Sequence, residues 1–586
     1  MTETATLKGP GKGPGPAGRA MALAFILPIL LAAPFANKAL HIDDPMFVRV
    51  AQQIVESPLD YFGSYVEKGN VAVPMYEYNQ NPPGFSYYLA IIGAIAGWGE
   101  VPMHIGAALF AGLAGLGMYL LASRFCSRPG LAAGMMVLTP AFLVSATTVM
   151  TDLPMVALYV WAVYLWMRAL DEDSARFFVA SVAVITIAAL FKYYAITLVP
   201  LLLVYSIVKE RRVGLWVAYL AIPVLLIGVF LWTAYVQYGV NLLSVASSVA
   251  LDPVLREGGA PFSRGLIVLV FIGGCMAPLA LYSPFAMSRR VWIACILGVA
   301  AASIPSIGGY SPLQLLLGVV EPFDIGLTLH LGIMLAAGLL IAVPVFLDLR
   351  YRPGAESILL ALWVLGAVLF AEEINHLINA RVVLPVLPAA AILIVRQMPA
   401  PKRDALADRR LREAVPLVPA AILTLWVAVA DYAIAENARQ SAHRAADIAE
   451  EEGVDLYYSG LWGFVYYLEE RGAAAFSVEP GGLGGGHRPM MQTGELLALS
   501  SEGREQWRVP PKDMEEVSIL SYPNRFSLAT YHPVAEAGFY SHLTGIVPYY
   551  IGPTPPEEYG LYRWTGPSYV PDERESGGTD SETEPR

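Results

Sequence analysis

Long apolar runs recur along the chain between residues 20 and 434, and short polar segments separate them. A run of roughly 20 apolar residues is long enough to cross a lipid bilayer as a helix, so the pattern predicts an α-helical polytopic membrane protein with about thirteen transmembrane helices. The predicted spans lie near residues 20–40, 102–122, 129–149, 153–170, 176–191, 194–208, 213–236, 265–286, 291–308, 326–347, 354–371, 382–397 and 415–434.

The first external loop, residues 41–101, carries two stretches that are predicted to be interfacial helices. In residues 46–55 apolar side chains recur at helical spacing opposite polar ones. Asp44 followed by Pro45 predicts the start of this helix, an N-cap with proline at the first helical position. The apolar stretch 82–97 is short and begins Asn81-Pro82-Pro83-Gly84. We therefore expect it to lie in the membrane interface and not to cross the bilayer.

The positions of arginine and lysine predict the orientation. With the N-terminus inside, most basic residues before residue 435 fall in cytoplasmic segments, among them Arg289-Arg290, Arg350 and Arg352. This bias is the one that orients membrane proteins. It holds only if stretch 82–97 does not cross, because a further span there would turn the arginine-rich loops outward.

The apolar runs stop after residue 434. Short strand-like segments, Leu456-Tyr457-Tyr458 and Val517–Leu520, then alternate with helical stretches, which predicts a small extracytoplasmic α/β domain over residues 435–570. Residues 571–586 are acidic and rich in Ser, Gly, Thr and Glu, and we predict that they are disordered. Residues 1–19 form a predicted cytoplasmic tail, and the first apolar run is interpreted as a retained helix.

Composition agrees with this division and excludes some functions. Hydrophobic residues make up 56% of the chain and charged residues 15%, against roughly 25% charged in soluble proteins. The formal net charge of −11 gives no support for nucleic acid as a partner. The three cysteines lie in or beside apolar spans, so no structural disulfide is predicted.

Several ionisable residues lie at the external ends of the predicted spans, where such groups are costly and often functional. Asp43 and Asp44 follow the first span, and the alternative for either one is a helix cap. Asp152 opens the fourth span, again with capping as the alternative. Lys192 lies between two spans, where a lysine reaching for the headgroups is also common. Arg381 precedes the twelfth span, and a cation at a helix start favours an anionic partner such as a phosphate.

A polar cluster precedes Arg381, and we include Glu372, Glu373 and His376 among the candidate substrate-binding residues. His376 with the two glutamates could also bind a divalent cation, so that cofactor is left open and no other is expected. Two acidic sites and two cations on one membrane face suit a reaction on a lipid-borne phosphate.

These motifs together resemble the GT-C glycosyltransferases, and within them glycosyltransferase family 39, which includes protein O-mannosyltransferases and aminoarabinose transferases. The resemblance covers roughly residues 20–470. Its carriers, in chain order, are Asp43-Asp44, Asn81-Pro82-Pro83-Gly84-Phe85-Ser86-Tyr87-Tyr88, Thr151-Asp152, Phe191-Lys192-Tyr193, the stretch from Arg381 through Leu384-Pro385 and Leu387-Pro388 to Ala389, and the aromatic stretch Trp462 to Tyr467. Asn81 stands where the family has a lysine, so this position departs from the family pattern.

The resemblance implies a membrane-embedded enzyme that transfers a hexosyl or pentosyl group, with inversion, from a polyprenyl-phosphate carrier to an extracytoplasmic protein, lipid or glycan. It implies Asp43 or Asp44 as the base, Asp152 as an orienting carboxylate, and Arg381 with Lys192 as phosphate ligands. Asn81 is carried as a substrate-binding candidate. The implied location is a bacterial inner or plasma membrane, with the active site facing outward.

Two other classes of function compete with an enzyme. A lipid or sugar transporter or flippase would show polar residues and broken helices near the middle of its spans. The charges here concentrate at one face, which favours the enzyme. An envelope scaffold acting through the C-terminal domain is the third alternative.

Overall fold

The computed structural model of the protein describes residues 16–68, 71–250, 263–304, 311–317, 324–399, 412–460, 462–476, 491–500 and 513–566. Most of the predicted N-terminal tail and the whole predicted acidic tail lie outside these residues.

The described part of the chain is mainly helical. Its helices are Pro16–Ala32, Asp44–Glu56, Met75–Tyr78, Gly84–Ala96, Glu100–Ala122, Pro129–Val137, Pro140–Ala146, Asp152–Glu172, Ala175–Phe191, Leu198–Glu210, Trp216–Tyr238, Leu242–Ala250, Ser263–Cys275, Ala277–Ala280, Ser283–Ala286, Arg289–Ala302, Pro312–Leu317, Ile325–Tyr351, Ala355–Leu369, Ala380–Val383, Val386–Gln397, Leu417–Glu452 and Trp462–Glu470. Shorter helical turns are Ala33–Phe35, Tyr193–Thr197, Phe370–Ile374 and Pro533–Ala535.

Within the described residues, eight helices are long and apolar enough to cross a membrane. A bent pair of short helices makes a ninth candidate if it is counted as one span. Four further apolar helices are shorter: Gly84–Ala96, Ala175–Phe191, Ser263–Cys275 and Val386–Gln397. The polytopic helical class is confirmed, whereas the predicted count of thirteen spans is not.

The third predicted span, 129–149, is not a straight helix. It consists of Pro129–Val137 and Pro140–Ala146, which are bent by 68° relative to each other. Thr139 ends the first helix by donating to the carbonyl of Met136, and its hydroxyl also accepts the N–H of Phe142. Pro140 cannot donate a backbone hydrogen bond, so the break falls there. The hydropathy pattern predicted one continuous span, because the residues on both sides of the break are apolar.

The long segment 41–101 is built as the amphipathic pattern predicts. The helix Asp44–Glu56 buries Met46, Phe47 and Val50, and the helix Gly84–Ala96 packs against it. At 13 residues, Gly84–Ala96 is about 20 Å long, well short of the bilayer's hydrocarbon thickness of about 30 Å. The hairpin between them, β1 (Tyr65–Lys68) with β2 (Val71–Pro74), was not foreseen.

Basic residues pair with acids at the helix ends away from this loop. Asp171 pairs with both Arg124 and Lys209. Arg128 lies 3.0 Å from Glu413, and Arg396 lies 3.2 Å from Asp348. These pairs lie at the end of the helices that the arginine and lysine distribution assigns to the cytoplasm.

The helix Leu417–Glu452 continues through residue 435 into the C-terminal domain without a break. The domain that follows has a five-stranded sheet of order β4-β3-β5-β11-β6. β3 (Leu456–Ser459) is parallel to β4 (Ala474–Ala475) and β5 (Leu496–Ser500), and β11 (Glu557–Trp564) is antiparallel to β5 and to β6 (Met514–Tyr522). The domain also has four short strands, which form two separate two-stranded sheets: β7 (Leu528–Ala529) with β10 (Tyr550–Ile551), and β8 (Tyr531–His532) with β9 (Ala537–Gly538). The predicted small α/β domain is thus confirmed.

Candidate active site

The two adjacent aspartates after the first helix have different surroundings. Asp44 is fully buried, and its carboxylate accepts the backbone N–H of His41 at 3.1 Å and of Val149 at 2.7 Å. Burial raises the pKa of Asp44 to about 7. Asp44 therefore joins the segment after the first helix to the loop before Asp152. It does not act as the predicted helix cap, because both of its bonds go to residues outside the helix.

Asp43 points the other way and is accessible. Its side chain is 29% exposed, and it makes no capping bond to the helix that follows. The preceding residue, Ile42, has a φ of 52°, a left-handed conformation that a β-branched residue rarely adopts. Such backbone strain costs on the order of 1–3 kcal/mol and is concentrated at functional sites. The tight turn at Ile42 allows one aspartate to be buried while its neighbour stays open.

Asp43 begins a chain of four alternating charges. The guanidinium of Arg381 lies 2.5 Å from Asp43 and 3.9 Å from Asp152. Asp152 in turn pairs with Lys192. The structure thus brings together four of the predicted site residues. The two that are farthest apart in sequence, Asp43 and Arg381, are separated by 338 positions.

The four side chains differ in burial. Asp152 is 4% exposed, Arg381 15%, Lys192 24% and Asp43 29%. Asp152 is therefore the most buried of the four and faces both cations, whereas the other three side chains are partly exposed. Asp152 is the first residue of its helix, but its predicted capping role is not seen, because its contacts are with the cations.

Arg381 is held at the start of the short helix Ala380–Val383. The side chain of Asn379 caps this helix by accepting the N–H of Val382 at 2.9 Å. The guanidinium also donates to the sulfur of Met150 at 3.0 Å. Its Nε is buried and has no hydrogen-bond partner among the described residues. A guanidinium with an unused N–H can donate a hydrogen bond to a further oxygen.

Asn81 lies on the loop that precedes Gly84–Ala96. Its backbone and side-chain N–H groups donate to the side-chain oxygen of Asn79, at 2.9 and 3.4 Å. Asn79 is buried and was not predicted from the sequence. Burial and the nearby charge of Asp43 raise the pKa of Tyr78 to about 12, so this loop approaches the cluster beside Asp43.

Glu372, Glu373 and His376 lie on the turn that leads towards Arg381. Arg264 holds this turn by donating to the carbonyls of Glu372 at 2.9 Å and Asn375 at 2.8 Å. In the part of the chain that the structure describes, no group of three or more His, Cys, Asp or Glu side chains is arranged to hold a metal. The alternative of a divalent cation bound by these three residues therefore has no structural support, and their role in substrate binding stays a prediction.

A second ion pair beside the cluster was not predicted. Lys38 lies 2.5 Å from Asp431, and both side chains are fully buried. Asp431 also accepts hydrogen bonds from the Tyr540 hydroxyl, at 2.8 and 2.9 Å, and from Thr530 at 3.3 Å. The one sequence signal was an aspartate inside the apolar run of the last span, which is rare and informative.

His41 packs edge-on against Tyr540 with ring centroids 5.5 Å apart. Burial lowers the pKa of His41 to about 4, so the ring is neutral near pH 7. Tyr540 belongs to the C-terminal domain, and its ring also lies 5.9 Å from the Arg381 guanidinium. The C-terminal domain therefore contacts the charged cluster directly.

A cavity of about 350 Å³ lies between the helix Leu417–Glu452 and the C-terminal sheet. Its lining includes Tyr432, Asn437, Tyr531 and Glu557, and none of the four charged residues of the cluster. The chemistry therefore points to the cluster and not to this cavity.

Residues 80–235 match the model of the family described as dolichyl-phosphate-mannose-protein mannosyltransferase. No curated protein sequence matches the chain. Among solved structures, ArnT from Cupriavidus metallidurans in the apo state is 16% identical, with 86% of this chain and 97% of that chain covered and a TM-score of 0.44. The same protein bound to undecaprenyl phosphate gives 16% identity, the same coverage and a TM-score of 0.43.

A third structural match is the Archaeoglobus fulgidus oligosaccharyltransferase tethered to an acceptor peptide, at 11% identity, 82% and 69% coverage and a TM-score of 0.46. The family-model match includes three of the motifs that carry the resemblance, at Asn81, Asp152 and Lys192. This match and these motifs support the predicted resemblance to GT-C, glycosyltransferase family 39-like proteins.

Proposed function

We propose that the chain is an inverting glycosyltransferase that moves a hexosyl or pentosyl group from a polyprenyl-phosphate carrier to an acceptor outside the cytoplasm. The observation that carries this proposal is the alternating cluster of Asp43, Arg381, Asp152 and Lys192. It offers a carboxylate and two cations, which are the groups that this reaction needs. The matching family's description, which names a sugar on a lipid phosphate, supports the donor class.

The reaction breaks the bond between the sugar's anomeric carbon and the phosphate oxygen. The acceptor oxygen attacks from the opposite face, its proton passes to a carboxylate, and the polyprenyl phosphate leaves with the electron pair. A positioned base contributes about 10²–10⁴-fold to such a step. Cations fixed at the leaving phosphate stabilise the charge that develops there. A single displacement of this kind inverts the anomeric centre.

Asp43 is the proposed base, because it is the more accessible of the two aspartates. In the free protein its carboxylate is paired with Arg381. A guanidinium binds phosphate through two parallel hydrogen bonds, so an arriving donor would compete with Asp43 for it. Donor binding would thereby release the carboxylate to take the acceptor's proton. Binding of one substrate would prepare the base for the other.

Asp152 and Asp44 have supporting roles in this proposal. Asp152 is nearly buried and faces both Lys192 and Arg381, so it keeps two like charges close enough to share one phosphate. Asp44 fixes the turn that presents Asp43 by binding His41 and Val149. Of the two aspartates considered as the base, Asp44 is thus assigned to positioning.

The proposal is tested with the full chain in liposomes, supplied with labelled polyprenyl-phosphate hexoses and pentoses. The acceptor to be supplied is identified by mass spectrometry, as the envelope glycan or glycoprotein that loses its sugar in a deletion strain. We expect Asp43→Asn to lower turnover by on the order of 10²-fold or more while donor binding persists. Asp171→Asn is the matched control, since it removes a paired carboxylate at the opposite end of the helices. Equal activity of Asp43→Asn and wild type would contradict the assignment of the base.

Sidedness has a separate test. A reporter fused at about residue 405 is expected to be cytoplasmic, and one fused at residue 440 extracytoplasmic, because basic residues are concentrated between Arg396 and Arg412. Cytoplasmic reporter activity at residue 440 would invert the topology. The proposed external active site would then be wrong.

A further inference from the structure

The segment Phe539–His542 of the C-terminal domain is joined to the backbone just before Arg381. The N–H of Ala380 donates to the carbonyl of Phe539 at 2.9 Å, and the N–H of His542 donates to the carbonyl of Ile378 at 2.9 Å. The N–H of Ile378 also donates to the ring nitrogen Nδ1 of His542 at 3.1 Å. These three bonds attach the segment to residues 378–380, directly beside the guanidinium-bearing residue.

The segment itself is firmly anchored in the C-terminal domain. Phe539 and Tyr540 are buried, and the N–H of Phe539 donates to the carbonyl of Thr530 at 2.9 Å. Gly538 has no room for a side chain, because a Cβ atom there would lie 2.2 Å from the carbonyl oxygens of Ser541 and Gly545. A rigid segment can transmit its position to the residues that it binds.

Tyr540 lies between the two sides of the Asp43–Arg381 pair: it contacts Arg381 itself and His41, which precedes Asp43. Its ring faces the Arg381 guanidinium at 5.9 Å, an arrangement in which a cation is attracted to the ring's electrons. On the other side the ring packs on His41, two residues before Asp43. Its hydroxyl donates to Asp431, which is paired with Lys38 in the segment that follows the first helix. The Tyr540 side chain therefore sets the distance between the segment that carries Asp43 and the helix that carries Arg381.

We infer that the C-terminal domain is part of the catalytic centre, and that Tyr540 is a positioning residue that holds Arg381 at its working distance from Asp43. This inference rests on the proposed sugar transfer for its consequence on rate. The residues 378–383 should be ordered by the external domain and not by the membrane helices alone.

The alternative is that the segment only docks the domain onto the helices. A matched control separates the two, because Tyr549 makes a bond of the same kind from the same domain, its hydroxyl donating to the carbonyl of Gly274 at 3.2 Å. That contact is to a helix that does not carry Arg381. Tyr549→Phe should therefore weaken docking without changing transfer.

The experiment compares Tyr540→Leu, Tyr540→Phe and Tyr549→Phe in the full chain. We expect Tyr540→Leu to lower turnover by roughly tenfold with little change in the KM for donor, and to speed hydrogen exchange of residues 378–383. Tyr540→Phe keeps the ring over Arg381 and should fall between Tyr540→Leu and wild type. Combining Tyr540→Leu with Arg381→Lys should give a less than additive loss.

The outcomes separate this inference from the proposed function. If wild type transfers sugar and Tyr540→Leu behaves like Tyr549→Phe in both turnover and exchange, the inference is wrong and the function stands. If wild type transfers no sugar but exchange at residues 378–383 rises only in the Tyr540 variants, the positioning stands and the function is wrong. Additive losses in the double variant would also contradict positioning through Arg381.

Discussion

Two ion pairs lie close together at the end of the helices that carries the candidate site, and they have the same separation with opposite surroundings. Asp43–Arg381 and Lys38–Asp431 both have charged atoms 2.5 Å apart. The side chains of the first pair are 29% and 15% exposed, whereas those of the second are completely buried. The two pairs therefore differ in accessibility and not in contact distance, which fits the proposed roles of Asp43–Arg381 as a reactive pair and Lys38–Asp431 as a structural pair.

Hydrogen bonding differs between the pairs in the same sense. Asp431 receives bonds from Tyr540 and Thr530 in addition to Lys38, so its buried charge is well satisfied. Arg381 has a buried Nε without a partner among the described residues. A satisfied pair has nothing further to bind, while Arg381 retains capacity for a ligand.

The largest effect is expected from breaking the buried pair. Asp431→Ala leaves Lys38 buried without a partner, which costs about 3–5 kcal/mol of unfolding free energy. Thermal unfolding of the purified protein in detergent measures the loss. The double variant Lys38→Met with Asp431→Leu should recover most of it, because no lone charge remains. A loss below about 1 kcal/mol in the single variant would show that the pair is solvated.

Removing the accessible cation should affect rate and leave stability nearly unchanged. Arg381→Ala is expected to lower turnover by on the order of 10²-fold, the usual loss when a group that stabilises the transition state is removed. Arg381→Lys keeps the charge without the planar fork, so it should be impaired less. Kinetics at saturating donor measure both. A rise in KM with normal turnover would mean that Arg381 binds ground state and transition state equally.

Lys192 should give a smaller loss in the same step. Lys192→Ala frees Asp152 to pair more closely with Arg381, so part of the deficit is compensated within the cluster. If both cations touch one phosphate, the double variant with Arg381→Ala should lose less than the sum of the two. Strict additivity in turnover would assign them to separate roles.

A separate effect is a pH dependence of stability that comes from Asp44. Its pKa is raised from 3.8 to about 7 in the fold, so between these values the folded protein binds more protons than the unfolded one. Stability contributed by this group therefore falls as pH rises through that window. Asp44→Asn should flatten the slope of melting temperature between about pH 4 and pH 7. An unchanged slope would assign the dependence to other groups.

The sequence was sufficient for features that depend on local pattern. Apolar run lengths predicted the helical membrane class, and the topology inferred from the arginine and lysine positions predicted that Asp43, Asp152, Lys192 and Arg381 share one face. It did not predict which charges pair, because Asp43 and Arg381 are 338 positions apart and only the packing of the helices sets their distance.

Other features could not be predicted because they depend on tertiary surroundings. Asp43 and Asp44 are chemically identical neighbours, and only the backbone turn at Ile42 separates an open carboxylate from a buried one. Tyr540 gave no signal because aromatic residues are common throughout the C-terminal domain. Its significance comes from contacts with His41, Arg381 and Asp431, which lie on three different elements.

The helix Leu417–Glu452 gives the membrane itself an influence on the site. Its 36 residues form a rod about 54 Å long, well beyond the bilayer's hydrocarbon thickness of about 30 Å. A change in bilayer thickness is accommodated by helix tilt. Tilt of this rod would move Asp431 and, through Tyr540, the position of Arg381. Lipid chain length should therefore act on this protein as a modulator of rate, independently of any ligand.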